Sequence, residues 1–266
     1  MDTTRPPAVA DGFYPADPAL LAATVDRLLS QVTLPAGPPP KVLIVPHAGY
    51  IYSGPTAATA YALLAPLRQQ IKRVVLLGPT HRVAVDGLAL PACEAFATPL
   101  GDIRLDLEAI ARLRELPQIV FSNRGHAREH SLEVHLPFLQ RLLDEFKLVP
   151  LAVGQSTPQA VAEVVDRLWD GPETLIVIST DLSHFKPYEA AQQADRNTCR
   201  QILHFATDLA PEQACGAFPL NGLLLTAGRR GLRPELLHLC NSGDTAGDKQ
   251  RVVGYAAFAL REPDHA

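Results

Sequence analysis

Three apolar runs of this 266-residue chain lead into a histidine: Val-Leu-Ile-Val-Pro-His47, Val-Val-Leu-Leu-Gly-Pro-Thr-His81 and Leu-Ile-Val-Ile-Ser-Thr-Asp-Leu-Ser-His184. Near neutral pH an imidazole serves as metal ligand, general acid or general base, and three at one place can divide those roles. His47 and His81 stand in matching contexts. Pro46 precedes His47 and Ala48-Gly49 follows it, while Gly78-Pro79-Thr80 precedes His81. The match favours a ligand pair over two loop histidines that solvate strand ends. Asp181, three residues before His184, can orient that ring or cap the turn after its strand. Spacing alone leaves both readings open.

A second concentration of chemistry is Glu129-His130-Ser131-Leu132-Glu133-Val134-His135. His135 lies three residues after Leu132 and four before Leu139, on the apolar stripe of an expected helix, so it reads as a core histidine. Glu129 and His130 precede that helix and could face a cleft. Cys93, Cys199, Cys215 and Cys240 are scattered, with no Cys-x-x-Cys pair, which reads as reduced thiols in a cytoplasm. Small neighbours leave Cys215 accessible, yet spacing does not raise it above Cys240.

Positioning these residues requires strands that end together. Continuous Val/Ile/Leu runs read as strands buried on both faces, and ligands in such sheets bind beyond the carboxyl ends. Strands are expected at Val42–Val45, Val74–Leu77, Leu88–Leu90, Ile103–Leu105, Leu148–Val153, Leu175–Ile178, Glu235–Cys240 and Val252–Leu260. Helices are expected at Pro18–Val32 with Asp17 as cap, after Pro55, from Leu107, at Leu132–Phe146, Gln159–Trp169, Tyr188–Phe205, Pro211–Cys215 and Leu220–Arg230. Residues 117–131 read as a polar loop and Pro35–Pro40 as a linker. The alternation predicts an α/β fold, a single layered domain over residues 1–266 with a central mainly parallel or mixed sheet flanked by helices.

Composition narrows the function. A net charge of −4 and pI near 6.1, with no basic stripe, argue against nucleic acid as partner. No stretch has the apolar length of a membrane span, and the opening residues lack the apolar core of a signal peptide. A cytoplasmic protein is expected, and its Arg, Ala and Pro content suggests a GC-rich bacterial genome.

Taken together, Gly12-Phe13-Tyr14-Pro15, Val45-Pro46-His47-Ala48-Gly49-Tyr50, Leu77-Gly78-Pro79-Thr80-His81, Glu129 to Pro137, Ser179-Thr180-Asp181-Leu182-Ser183-His184, Cys215-Gly216 and Gly254-Tyr255-Ala256-Ala257 resemble the Memo family. Bacterial members are called the B component of an AmmeMemoRadiSam system. The resemblance implies a fold like the LigB-type class III extradiol dioxygenases and a metal site of two histidines and a cysteine, which map onto His47, His81 and Cys215. It implies an acid–base role for His184, with Asp181 and His130 positioning a small, catecholic or enolic substrate. Fe(II) is the expected metal, with Zn or Cu as alternatives that a thiolate ligand would also suit. The family name implies radical-SAM and Ammecr-type protein partners. A non-catalytic metal-binding adaptor and a zinc-dependent hydrolase are the competing functions.

Overall fold

The computed structural model describes residues 3–33 and 37–263. Pro35 and Ala36 of the expected linker therefore lie outside the described residues. In chain order the elements are β1 (Thr4–Arg5), α1 (Pro18–Ser30), β2 (Val42–Val45), α2 (Tyr50–Tyr61), β3 (Arg73–Pro79), β4 (Leu88–Leu90), β5 (Ala95–Thr98) and β6 (Gly101–Arg104). There follow α3 (Leu107–Ala111), β7 (Ile119–Phe121), α4 (Asn123–Ala127), α5 (Leu136–Leu142), β8 (Lys147–Val153), α6 (Pro158–Arg167), β9 (Thr174–Ser179) and β10 (His184–Lys186). The chain closes with α7 (Tyr188–Leu203), α8 (Ala217–Arg229), β11 (Arg233–Asn241) and β12 (Val252–Arg261).

The main sheet has the order β10-β12-β2-β9-β3-β8-β4-β7, with β11 alongside β12. Its centre, β2-β9-β3-β8, is parallel, whereas β12 joins β2 and β4 joins β8 antiparallel. A small sheet, β1-β5-β6, accompanies it. Every residue of β2 and β9 is buried, which demands cover on both faces. Helix α2 packs on β2, β11 and β12, while α8 packs on β3 and β9 with α6 against it. The result is one α/β domain with a mixed sheet flanked by helices, as the apolar runs predicted. Leu76, Leu77, Ile176 and Val177 are fully enclosed, and each such side chain contributes about 1.5–3 kcal/mol of burial.

Local chemistry sets the boundaries. Asp17 Oδ1 accepts the Leu20 N–H at 2.8 Å and starts α1 where its cap was expected. The helix expected over Leu132–Phe146 is much shorter. Pro137 cannot donate to Glu133 and its ring crowds that carbonyl, so Glu133–His135 forms a 3-10 turn and α5 begins afresh at Leu136. At the other end Leu143 is already extended, and Asp144 N–H donates to Arg68 O. The polar loop over 117–131 contains β7 and α4, the latter capped by Ser122 Oγ. His184 does not end a run of strand: β9 stops at Ser179, and His184 opens β10, which pairs with β12.

Candidate metal centre

The three central strands stop at a common level. Val45 pairs with Ser179 and Leu77 with Ile178, so β9 ends between β2 and β3. His47 and His81 each lie two residues beyond their strands, one on either side of Ser179. Parallel strands thus deliver both imidazoles to the rim where ligands of open α/β sheets bind.

Hydrogen bonding fixes the tautomer of each ring. Ser179 Oγ–H donates to Ser131 O at 2.6 Å, so the same oxygen accepts from His47 Nδ1–H, also at 2.6 Å. Nε2 of the buried His47 is left with a lone pair. His81 Nδ1 lies 2.9 Å from Glu129 Oε1, which as a carboxylate only accepts, and His81 Nε2 is likewise freed. Burial pushes the Glu129 carboxyl up, but hydrogen bonds from the His81 ring, the His81 amide and the Ser131 amide outweigh it and hold the group at about 2. Fixed oxygens behind an imidazole are the usual means of orienting a metal ligand.

Close approach of the loops depends on two glycines. A Cβ on Gly78 would stand 2.9–3.1 Å from Leu132 Cδ2, Ser131 Oγ and Ser179 Cβ. One on Gly216 would stand 2.6 Å from Ser179 O. Glycine at these positions lets the 131 and 215 loops seat on the strand ends.

His130 completes the cluster. One ring nitrogen from each of His47, His81 and His130 lies within 4.8 Å of the others, and ring centroids are 4.6–5.3 Å apart. Phe13 packs against His130, with ring centroids 4.7 Å apart. His130 Nδ1 is buried and, although Glu129 Oε1 is 3.2 Å away, the alignment makes no hydrogen bond. Three imidazoles so placed could hold a metal ion.

Cys215, immediately before the α8 cap Gly216, brings a fourth donor. Its Sγ lies 3.4 Å from His47 Nε2 and accepts the Asp181 N–H at 3.3 Å. Asp181 Oδ1 accepts the His47 N–H at 2.8 Å, and Oδ2 stands 3.9 Å from His47 Nε2. Asp181 therefore pins the His47 backbone and also borders the site. His184 Nδ1–H donates to Leu182 O at 2.8 Å, leaving Nε2 open, and burial, with the His81 ring nearby, lowers its pKa below the ordinary imidazole value. Of the six residues singled out from sequence, His47, His81 and His130 form one cluster, Cys215 and Asp181 reach it at His47, and His184 makes no hydrogen bond or ring contact with the other five.

Burial favours the neutral forms of His47, His130 and Cys215, beside the ionised Glu129. Burial lowers His47 well below the ordinary imidazole value and brings His130 to about 4. Burial raises the Asp181 carboxyl to about 7 and, with the Asp181 charge beside it, the Cys215 thiol to about 12. Neutral imidazoles with aligned lone pairs are ligands in waiting, and a bound cation would reverse the penalty on the thiolate and carboxylate. The donor set fits a metal. His135 is the core residue its position on the apolar stripe predicted: buried, with Nδ1 2.8 Å from the Tyr61 hydroxyl. Sequence reasoning missed Ser179 as the partner of His47, because only the β2–β9 register places it there.

Comparison with known proteins agrees with this fold. The family model described as Memo-like protein matches residues 5–259. A MEMO1 family protein of Sulfolobus acidocaldarius is 34% identical over 94% of this chain and 97% of its own. One from Ignicoccus hospitalis is 36% identical over 97% and 99%, and one from Methanopyrus kandleri is 36% identical over 97% and 99%. Among solved structures, the uncharacterized protein JW3007 from Escherichia coli K12 shares the fold, with a TM-score of 0.51 at 13% identity over 82% of this chain and 98% of that one. No described helix is long and apolar enough to cross a membrane.

Proposed function

The chain belongs to the Memo family, and we propose that it is a metal-dependent redox enzyme of dioxygenase-like descent, with His47, His81 and Cys215 holding Fe(II). The observation that carries this reading is the pair of imidazoles whose Nδ1 atoms are each committed to a fixed oxygen, with a thiol 3.4 Å from His47 Nε2. Bound there, the ion would supply Lewis acidity and a one-electron couple for chemistry with O2.

The protein's own groups divide the remaining work. The Asp181 amide donates to Sγ, which favours the thiolate form that a metal requires. Because that thiol must lose a proton on binding, metal affinity falls as pH falls. His184, neutral and open at Nε2, takes the proton of a catecholic or enolic hydroxyl, and its Leu182 hydrogen bond keeps Nε2 as the accepting atom. Asp181 holds the His47 loop, and His130 lines the same space to position the substrate. Anaerobic loading with Fe(II), followed by O2 uptake against a panel of catechols, tests the reading. Uptake abolished in His184→Ala with metal content unchanged supports it; a wild type that binds no metal overturns it.

One observation favours a second reading. His47, His81 and His130 form an all-nitrogen set that suits zinc, and a zinc-dependent hydrolase would use it with His184 as proton shuttle. Stoichiometric zinc in the protein as purified, with esterase or amidase activity, would favour this alternative.

A further inference from the structure

Beside the proton carrier stands a residue that the proposed chemistry leaves unexplained. Phe185 has φ +59°, a left-handed conformation that bulky side chains rarely adopt, and it is 60% exposed. It is the extra residue of a β-bulge: His184 pairs with Val253 and Lys186 with Val252, so nothing in β12 opposes Phe185. Bulges next to reactive sites serve to re-aim a side chain. Here the result is an apolar ring held out in solvent, against both conformational preference and the hydrophobic effect.

Its neighbours suggest what the ring is for. The His184 and Phe185 rings meet edge to face at 5.7 Å. The guanidinium of Arg251, the residue just before Val252 of β12, lies over the Phe185 ring at 5.0 Å. Among the described residues Arg251 makes no ion pair; its cation rests on the aromatic face alone. Arg82, also exposed, places a second positive charge within reach of His130. A chain with net charge −4 thus places one cation on the residue next to His184 and another near His130.

We propose that Phe185 and Arg251 form a specificity-determining lip that selects planar aromatic substrates bearing an anionic group, the ring stacking on Phe185 and the anion pairing with Arg251. This inference extends the reading of His184 as the adjacent proton carrier, yet it can be tested without metal. In ligand-observed NMR titrations of the protein as purified, benzoate should bind about five- to tenfold more tightly than benzamide, the order expected for one charge-assisted contact. Arg251→Gln should erase that ratio. Phe185→Asn, whose new residue tolerates the left-handed backbone, should weaken both ligands while leaving the Tm equal or higher. A ring present only for stability would instead lower the Tm and leave the ratio intact. Equal binding of benzoate and benzamide to the wild type, no binding of benzoate, or an unchanged ratio in Arg251→Gln would each overturn the proposal. A benzoate preference in a protein that binds neither Fe(II) nor catechol would uphold the lip and remove the metal chemistry, so the two failures are distinguishable.

Discussion

The same parallel strands end in two very different environments. At their amino ends Arg73 reaches Asp106 at 2.6 Å and also Asp170, Arg112 meets Asp170 at 2.6 Å, and Lys41 Nζ donates to the carbonyls of Asp170, Gly171 and Thr174. A cavity of about 770 Å³ opens there, lined by Lys72, Arg104, Asp102 and Glu145 among others. Charge is abundant at that end, but the groups that meet the strands are matched to partners. At the carboxyl ends the Glu129 carboxylate stands beside His47 and His130 imidazoles that burial keeps neutral, a thiol and a carboxyl near 7, with ring nitrogens left over. Reactive capacity follows unspent lone pairs, not charge density or cavity size. Saturated ion pairs stabilise; half-satisfied imidazoles keep a lone pair for a ligand.

The strongest way to break this contrast is to delete a freed lone pair. His81 is part-exposed, so His81→Ala should fold, yet lose metal affinity by about 100-fold or more in competition titrations with a chromogenic chelator. Unchanged affinity would remove His81 from the ligand set. Glu129→Gln tests the oxygen behind the ring. The amide matches the shape, but its NH2 must face a backbone N–H at one of the two positions, so the fixed acceptor behind His81 Nδ1 is weakened and metal affinity should fall about 10- to 100-fold. If only thermal stability changed, Glu129 would be a loop anchor and nothing more.

How much of this contrast the chain announced depends on the residue. His47 and His81 were legible because a buried parallel strand has an unmistakable composition and its carboxyl end is where ligands sit. The lengths of α1, β8 and α6 followed from caps, apolar period and proline, for the same local reasons. Cys215 was indistinguishable from Cys240 by spacing and stood out only through resemblance to a family, since a long stretch of chain separates it from His81. His130 and Ser179 were present in noticed motifs, but their roles rest on register and on a loop crossing the sheet ends through the gap at Gly78. Pro137 shows the opposite error: an apolar stripe continued on paper where the backbone could not.

Acid should separate the two ends on the pH scale. Burial holds His126 at about 4 and His135 at about 3, against an unfolded value near 6.5. Below pH 6.5 the unfolded chain takes up these protons first, so stability present above that value drains away as pH falls toward 4. Asp106 and Asp170 lose stability in the same direction but in a lower window, with carboxyls held below the ordinary 3.8. For Asp106 burial opposes the shift, and the Ala109 amide and Arg73 overcome it; for Asp170 the Arg112 hydrogen bond leads. Their contribution is complete above 3.8 and disappears only below it. The metal-free protein should therefore lose Tm progressively between pH 6.5 and 4, and His135→Gln should flatten that slope. A Tm constant down to pH 4 would mean that these histidines are protonated in the fold.

The mildest perturbation concerns the ionic end itself. Asp170 joins Arg73 and Arg112, with side chains 29%, 19% and 38% exposed, so water screens each pair and the entropy of long side chains opposes it. Its backbone is left-handed, at φ +35°, which asparagine tolerates, and its carbonyl keeps Lys41 whatever the side chain. Asp170→Asn thus removes charge and little else. It should cost about 1 kcal/mol or less in denaturant titrations and leave metal affinity unchanged. A larger loss would mean that three part-exposed groups act as a cooperative network. A change in metal affinity would mean that the two ends of the strands communicate, which nothing in a close-packed parallel core requires: the residues between them, Val74 to Leu77 and Leu175 to Ile178, are fully buried and apolar.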